Sequence, residues 1–265
     1  VAAGLQAGGG RDVALVINDG PGDAAAAVFT TGAVKANPVL WSERTIADGR
    51  LRAVVLNSGG ANHETGAEGF QLTHATAEQV AELAGISAFD VLVGSTGRTG
   101  GFGGTGGTEG TEPLEPLPDR ERLLAGIIAA HAELREDGGD DAAHALGPAA
   151  TPARQSSHTA PSGWTIGGLA EAGGSLTVIT TDADADPDAL DAVLHSIVQK
   201  PSSRMDRDNG SAANFTVALL ASAASGVRPD PAEFAEAVRR ICRDLGHPSP
   251  GPDRVPDPEN SACVS

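Results

Sequence analysis

Short apolar runs rich in Ala, Val and Leu alternate along this chain with stretches of helical period. Residues 13–18 (VALVIN) read as a strand closed by Asp19-Gly20, and residues 24–29 form an alanine-rich run ending at Thr30-Thr31-Gly32. Residues 52–56, 91–93 and 176–180 read as further strands. Residues 73–83 (THATAEQVAEL) predict a helix stopped at Gly85, and residues 122–134 predict a second, amphipathic one. Residues 188–198 predict a helix whose acidic start suits the positive end of its dipole. Phe234, Val238, Ile241 and Leu245 recur at i, i+4, i+7 and i+11, which makes 233–245 another helix. Residues 215–224 are apolar for most of their length and fit a buried helix or a buried strand. Residues 98–118 and 137–162 read as loops, the first a flexible low-complexity run of Gly, Thr, Glu and Pro. The last twenty residues hold five prolines and no regular element before 260–265. Strands alternating with helices indicate an α/β protein.

Two strand-like runs end abruptly on small residues, at Asn57-Ser-Gly-Gly and at Ser95-Thr-Gly. Such endings can leave backbone N–H groups unobstructed and suit a site that cradles a carbonyl or carboxylate oxygen.

Composition narrows the choice of function. Apolar residues make up 40% of the 265, yet aromatics only 3%, and Tyr is absent. Small aliphatic side chains suit closely stacked sheets and helices. A net charge of −17, from 35 acidic and 18 basic residues, argues against nucleic acid and against anionic membrane surfaces. No apolar run approaches a membrane span, and the first residues lack a signal-peptide pattern, so a cytoplasmic location is expected. Cys242 and Cys263 have no zinc-type spacing and are expected as unpaired thiols. The seven histidines are scattered, and His63 reads as a surface turn residue. The alternating Asp182, Asp184, Asp186 and Asp188 lack the rest of a calcium loop and read as an acidic helix start. Neither a metal nor an organic cofactor is expected.

Several segments, taken in order, carry a resemblance. They are 28–39 (VFTTGAVKANPV), 53–62 (AVVLNSGGAN), Thr65-Gly66, Gly69-Phe70, Ser95-Thr96-Gly97, 163–168 (GWTIGG), 180–183 (TTDA), 214–226 (NFTVALLASAASG) and 259–262 (ENSA). Together they resemble the bifunctional ornithine acetyltransferase family, the glutamate N-acetyltransferases of the cyclic arginine pathway. The resemblance implies an α/β fold of layered sheets and helices, of the N-terminal-nucleophile type. It implies an α-chain-like subdomain over 1–174 and a truncated β-chain-like subdomain over 175–265, with possible self-association of the processed chains. It implies acetyl transfer from N-acetylornithine to glutamate through an acyl-enzyme on a threonine freed by self-cleavage. The new α-amino group serves there as the base. The family's oxyanion pair matches Thr96 and Gly97. Thr151, Asn260 and Ser265 match substrate-binding positions.

The chain departs from the family at the nucleophile. The stretch 171–179 reads EAGGSLTVI, shorter than the family's and without its Ala-Thr pair. Glu171 stands where the family has a substrate-facing Lys. Ser175 is the nearest hydroxyl and the candidate nucleophile. After Leu245 the family's next α/β unit has no counterpart, which would leave a sheet edge unpaired unless something covers it. Two alternatives to the transferase follow. One is an impaired homologue that keeps the scaffold, and the other an N-terminal-serine amidase or peptidase using Ser175.

Overall fold

The computed structural model describes residues 1–6, 9–97, 117–146, 153–171, 174–198 and 213–247. Two sheets stack face to face, and helices cover both outer faces. The first sheet has the order β1-β3-β4, from β1 (Val13–Ile17), β3 (Ala53–Asn57) and β4 (Val91–Ser95). The second has the order β2-β8-β7-β6-β5, from β2 (Ala24–Phe29), β5 (Arg154–Thr159), β6 (Thr165–Ala170), β7 (Leu176–Thr181) and β8 (Thr216–Ala221). β3 runs parallel to β4 and β7 parallel to β8, and the other pairs are antiparallel.

Alternation within each central strand explains the layering. In β3, Ala53 and Val55 face Leu72, Ala77 and Val80 of α2 (Gly66–Ala84) and Leu123 and Ile127 of α3 (Arg120–Ala132). Val54 and Leu56 face the other way, onto Leu176, Val178 and Leu220 of the second sheet. That sheet's far side, Val28, Ile179, Val217 and Leu219, packs on α5 (Pro187–Ile197) and α6 (Pro231–Asp244). Strands covered on both faces are apolar at most positions, so their sequences read as near-continuous runs rather than alternating ones. The 215–224 run is therefore a strand, β8, held between β2 and β7.

Four elements depart from the sequence reading. α1 (Asn37–Thr45) occupies a stretch with no apolar periodicity. The loop expected over 137–162 contains α4 (Gly139–His144) and β5. β6 was not foreseen. The helix expected from residue 73 begins one to two turns earlier, at Gly66, and stops at Gly85, whose positive φ of 68° caps it. The division expected at residue 174 falls inside the connection from β6 to β7, and strands from both sides of it share one sheet.

The open edge of β4 is covered by α1. Trp41 Nε1 donates to the Val91 carbonyl at 3.1 Å. Ser42 Oγ donates to the Val93 carbonyl at 2.9 Å and accepts from the Val93 N–H at 3.1 Å. Two side chains thus satisfy the strand groups that an edge leaves unpaired.

Candidate functional site

One edge of the sandwich gathers Thr96, Gly97 and Ser175, three of the residues marked by the sequence. There β2, β3 and β4 end, and β7 and β8 begin. Phe29 of β2 and Leu176 of β7 both pair with Thr216, the first residue of β8. Asn57 and Ser95 pair at the ends of β3 and β4. The two sheets meet closely here, because a Cβ at Gly94 would stand only 2.6 Å from Leu176 Cδ1. The turn at Thr96-Gly97 begins two residues beyond Gly94, and Ser175 immediately precedes Leu176. The strand ends that carry Thr96, Gly97 and Ser175 are thus in contact across the inter-sheet layer.

Hydrogen bonds tie the surrounding loops to this edge. Thr216 N–H donates to the Ser175 carbonyl at 2.7 Å, and Thr30 N–H to Phe215 at 3.0 Å. Asn214 Nδ2 donates to the Ala61 carbonyl at 3.0 Å. Asn62 sits at a φ of 49° and Glu64 at 56°, a left-handed backbone that costs non-glycine residues energy and clusters at functional loops. The Asn62 side chain anchors this bend, donating to Gly69 O and Thr73 Oγ1 at 2.9 Å each and accepting from Thr65 Oγ1 at 2.6 Å. Gly69 is required in that network, since a Cβ would fall 1.9 Å from Thr65 Oγ1. Two buried amide atoms at this edge, Asn57 Nδ2 and Asn214 Oδ1, have no partner among the described residues.

The cradle suggested by the two strand endings is only partly open. After β3, Ser58 N–H is spent on Asp12 O at 2.9 Å and Gly60 N–H on Thr96 O at 3.3 Å. Gly59 lies tight against Leu5. These donors hold the loop together and do not face a ligand. The Thr96 N–H extends the β3–β4 ladder to Asn57 O at 2.8 Å. Among the described residues, the donors left to that turn are the Thr96 hydroxyl and the Gly97 N–H.

Ser175 is buried, and its hydroxyl donates to Glu171 Oε2. Sequence reasoning singled out the reversed charge at 171 but not this contact. Beneath the turn, Thr177 Oγ1 and His247 Nε2 lie 2.8 Å apart, both buried. Burial, followed by the nearby Arg154 charge, lowers the His247 pKa from its ordinary value. A neutral imidazole is thereby favoured against the Thr177 hydroxyl. Neither Thr177 nor His247 carried a signal in the sequence, because each is ordinary until the fold joins them. His63 is not the surface residue expected: its side chain is largely enclosed, and its buried Nε2 has no partner among the described residues.

The other marked residues add nothing to this edge that the described structure shows. Thr151, Asn260, Ser265 and Cys263 lie outside the described residues, as does most of the 98–118 segment. Cys242 is a buried thiol whose pKa burial pushes up to about 12. Asp182 binds Thr165 N and Oγ1, and Asp186 caps α5, so these acidic residues serve the fold. Among the described residues no group of three or more His, Cys, Asp or Glu is arranged to hold a metal, and no helix is long and apolar enough to cross a membrane.

Comparison with known proteins agrees with this architecture. The profile of the ArgJ family matches residues 1–248. The chain is 47% identical over 254 residues to the arginine biosynthesis bifunctional protein ArgJ of Streptomyces avermitilis, covering 93% of this chain and 62% of that protein. Its counterpart from Thermobifida fusca is 46% identical over 253 residues, with 92% and 62% covered. The chain therefore spans about 62% of the length of these curated relatives. The ornithine acetyltransferase of Mycobacterium tuberculosis, solved in complex with ornithine, superposes with a TM-score of 0.55 at 44% identity over 64% of this chain and 84% of that one. On the strength of this match, and of the layered α/β fold that accompanies it, the chain belongs to the ArgJ family.

Proposed function

We propose that the chain carries an acyl-transfer centre that moves the acetyl group of N-acetylornithine to glutamate, through an ester on Ser175. The reading extends to this chain the arginine-biosynthesis role in its relatives' names and the ornithine bound by the mycobacterial protein. It places the chemistry in the cytoplasm. The observation that carries it is the seating of Gly94 on Leu176, which sets the Thr96-Gly97 turn and Ser175 at one edge. Attack on the acetyl carbonyl develops negative charge on its oxygen. A hydroxyl from Thr96 and an N–H from Gly97 are donors of the kind that stabilise such an oxyanion, and one donor of this sort is worth about 2.7–4 kcal/mol in the transition state.

The test is transfer of isotopically labelled acetyl from N-acetylornithine to glutamate by the purified chain. Labelled N-acetylglutamate is expected, formed about 10²–10³-fold more slowly by Thr96→Val. A chain that produces none under any condition, while folded, has lost the activity of its family. The burial of Ser175, which leaves its hydroxyl little access to an acyl donor, favours that second reading, an impaired homologue that keeps the scaffold.

A further inference from the structure

The connection from β6 to β7 holds a carboxylate directly on the candidate nucleophile. Ser175 Oγ donates to Glu171 Oε2, four residues upstream. Backbone bonds fix both partners. Glu171 N–H donates to Leu176 O at 2.9 Å, Gly174 N–H donates to Glu171 O at 2.8 Å, and Ser175 O accepts from Thr216 at 2.7 Å. The other nearby base is already engaged. His247 lies against Gly174, its Cε1 3.8 Å from where a Cβ would stand, but its Nε2 is taken by Thr177. An N-terminal threonine must wait for chain scission to create its base. Here a base touches the hydroxyl before any bond is broken.

We propose that Glu171 is the general base for Ser175, and that the acyl-enzyme forms on an intact, uncleaved chain; this rests on the acyl-transfer reading above. As Ser175 Oγ bonds to the donor's acetyl carbon, its proton passes to the Glu171 carboxylate. Collapse of the tetrahedral adduct breaks the acetyl C–N bond, and the departing amine takes that proton. The acceptor amine then attacks the Ser175 ester. Its C–O bond breaks, and the proton lost by the amine returns through Glu171 to Ser175 Oγ. Glu171 is a catalytic residue in this scheme, since it touches a reacting atom. The charge reversal from the family's Lys and the hydroxyl at 175 become one linked change.

The experiment uses the full chain with p-nitrophenyl acetate and, separately, N-acetylornithine. Each reaction is quenched, weighed intact under denaturing conditions and mapped by peptide. The expected product is the uncut chain plus one acetyl group on Ser175, absent in Ser175→Ala. Glu171→Gln is expected to lower the acylation rate about 10²–10⁴-fold, and Glu171→Asp to restore part of the rate. Circular dichroism of Glu171→Gln identical to that of the parent shows that folding is not the cause. An acetyl group elsewhere, a fragment beginning at Ser175, or Glu171→Gln acylating at the parent rate would overturn the proposal. Glu171-dependent acylation by p-nitrophenyl acetate, with none from N-acetylornithine, would keep the base and remove the substrate. Transfer to glutamate at the parent rate by Glu171→Gln would do the reverse.

Discussion

A methyl group added at Gly94 probes the contact on which the site depends. The new Cβ would stand 2.6 Å from Leu176 Cδ1, 2.9 Å from Leu56 Cδ2 and 3.2 Å from Leu176 Cδ2. Carbon atoms do not approach below about 3 Å without displacement, and both leucines are fully buried between the sheets. Gly94 does not occupy the left-handed region, so alanine there carries no backbone strain. It should gain about 0.4–1 kcal/mol by stiffening the unfolded chain. Overpacking a close-packed core costs about 1–3 kcal/mol. Gly94→Ala is therefore expected to destabilise by about 0–2.6 kcal/mol net. Leu176→Ala alone opens a cavity and should cost about 2–5 kcal/mol. In the double variant the methyl at 94 occupies part of that cavity, so the two losses should fall short of their sum by about 0.5–3 kcal/mol. Urea unfolding followed by circular dichroism measures all three, with midpoints compared at constant slope. A stabilised Gly94→Ala, or additivity within about 0.5 kcal/mol, would refute the inter-sheet contact.

Other expectations follow from the same geometry. Ser42→Ala strips the Val93 N–H and carbonyl of their partner, and should cost about 1–3 kcal/mol in urea unfolding. Asp12 accepts N–H groups from Ala3, Leu5 and Gln6, so Asp12→Ala should lose about 1.5–3 kcal/mol or more and speed hydrogen exchange at those amides. The folded chain resists protonating His247, whereas the unfolded chain titrates it normally near pH 6.5. Stability should therefore be level above about pH 6.5 and fall as the pH drops below it, and His247→Gln should flatten that fall in urea midpoints measured across the range. With its pKa near 12, Cys242 has almost no thiolate at neutral pH; iodoacetamide should label its peptide only after denaturant is added.

Elements covered on both faces by apolar layers were legible, because their runs are apolar for most of their length. β1, β3, β4 and β7 stand where strands were read, β2 takes the alanine-rich run at 24–29, α3 and α6 follow amphipathic stretches, and α5 follows the acidic start at 188. The 215–224 run stayed open between helix and strand for the same reason: a segment apolar for most of its length has no period to read. α1 was hidden because its buried face is partly polar. Asn37, Ser42 and Thr45 are enclosed there, with Asn37 bonded to the Thr65 hydroxyl and Ser42 to the β4 backbone. β5 carries exposed polar residues and is a strand only through its pairing with β6. β6 contains two glycines, one of which must be small because a Cβ at Gly168 would meet Leu245 Cδ1 at 2.8 Å. At the site, the Thr96-Gly97 turn showed as a strand running into small residues. The Asn37–Asn62–Thr65–Thr73 network did not, since it joins ordinary residues from α1, a loop and α2. The altered charge at 171 was visible, but its meaning depended on a turn that brings it back onto Ser175.

The central claim is that the end of β4 lies on the start of β7, so that the Thr96-Gly97 turn and Ser175 border one centre. Nuclear Overhauser spectroscopy on a sample with labelled leucine methyls tests this directly. The account predicts strong cross-peaks from the Leu176 methyls to the Gly94 α-protons and to the Leu56 methyls. Leu176 methyls that show neither, and instead exchange magnetisation with water, would contradict it.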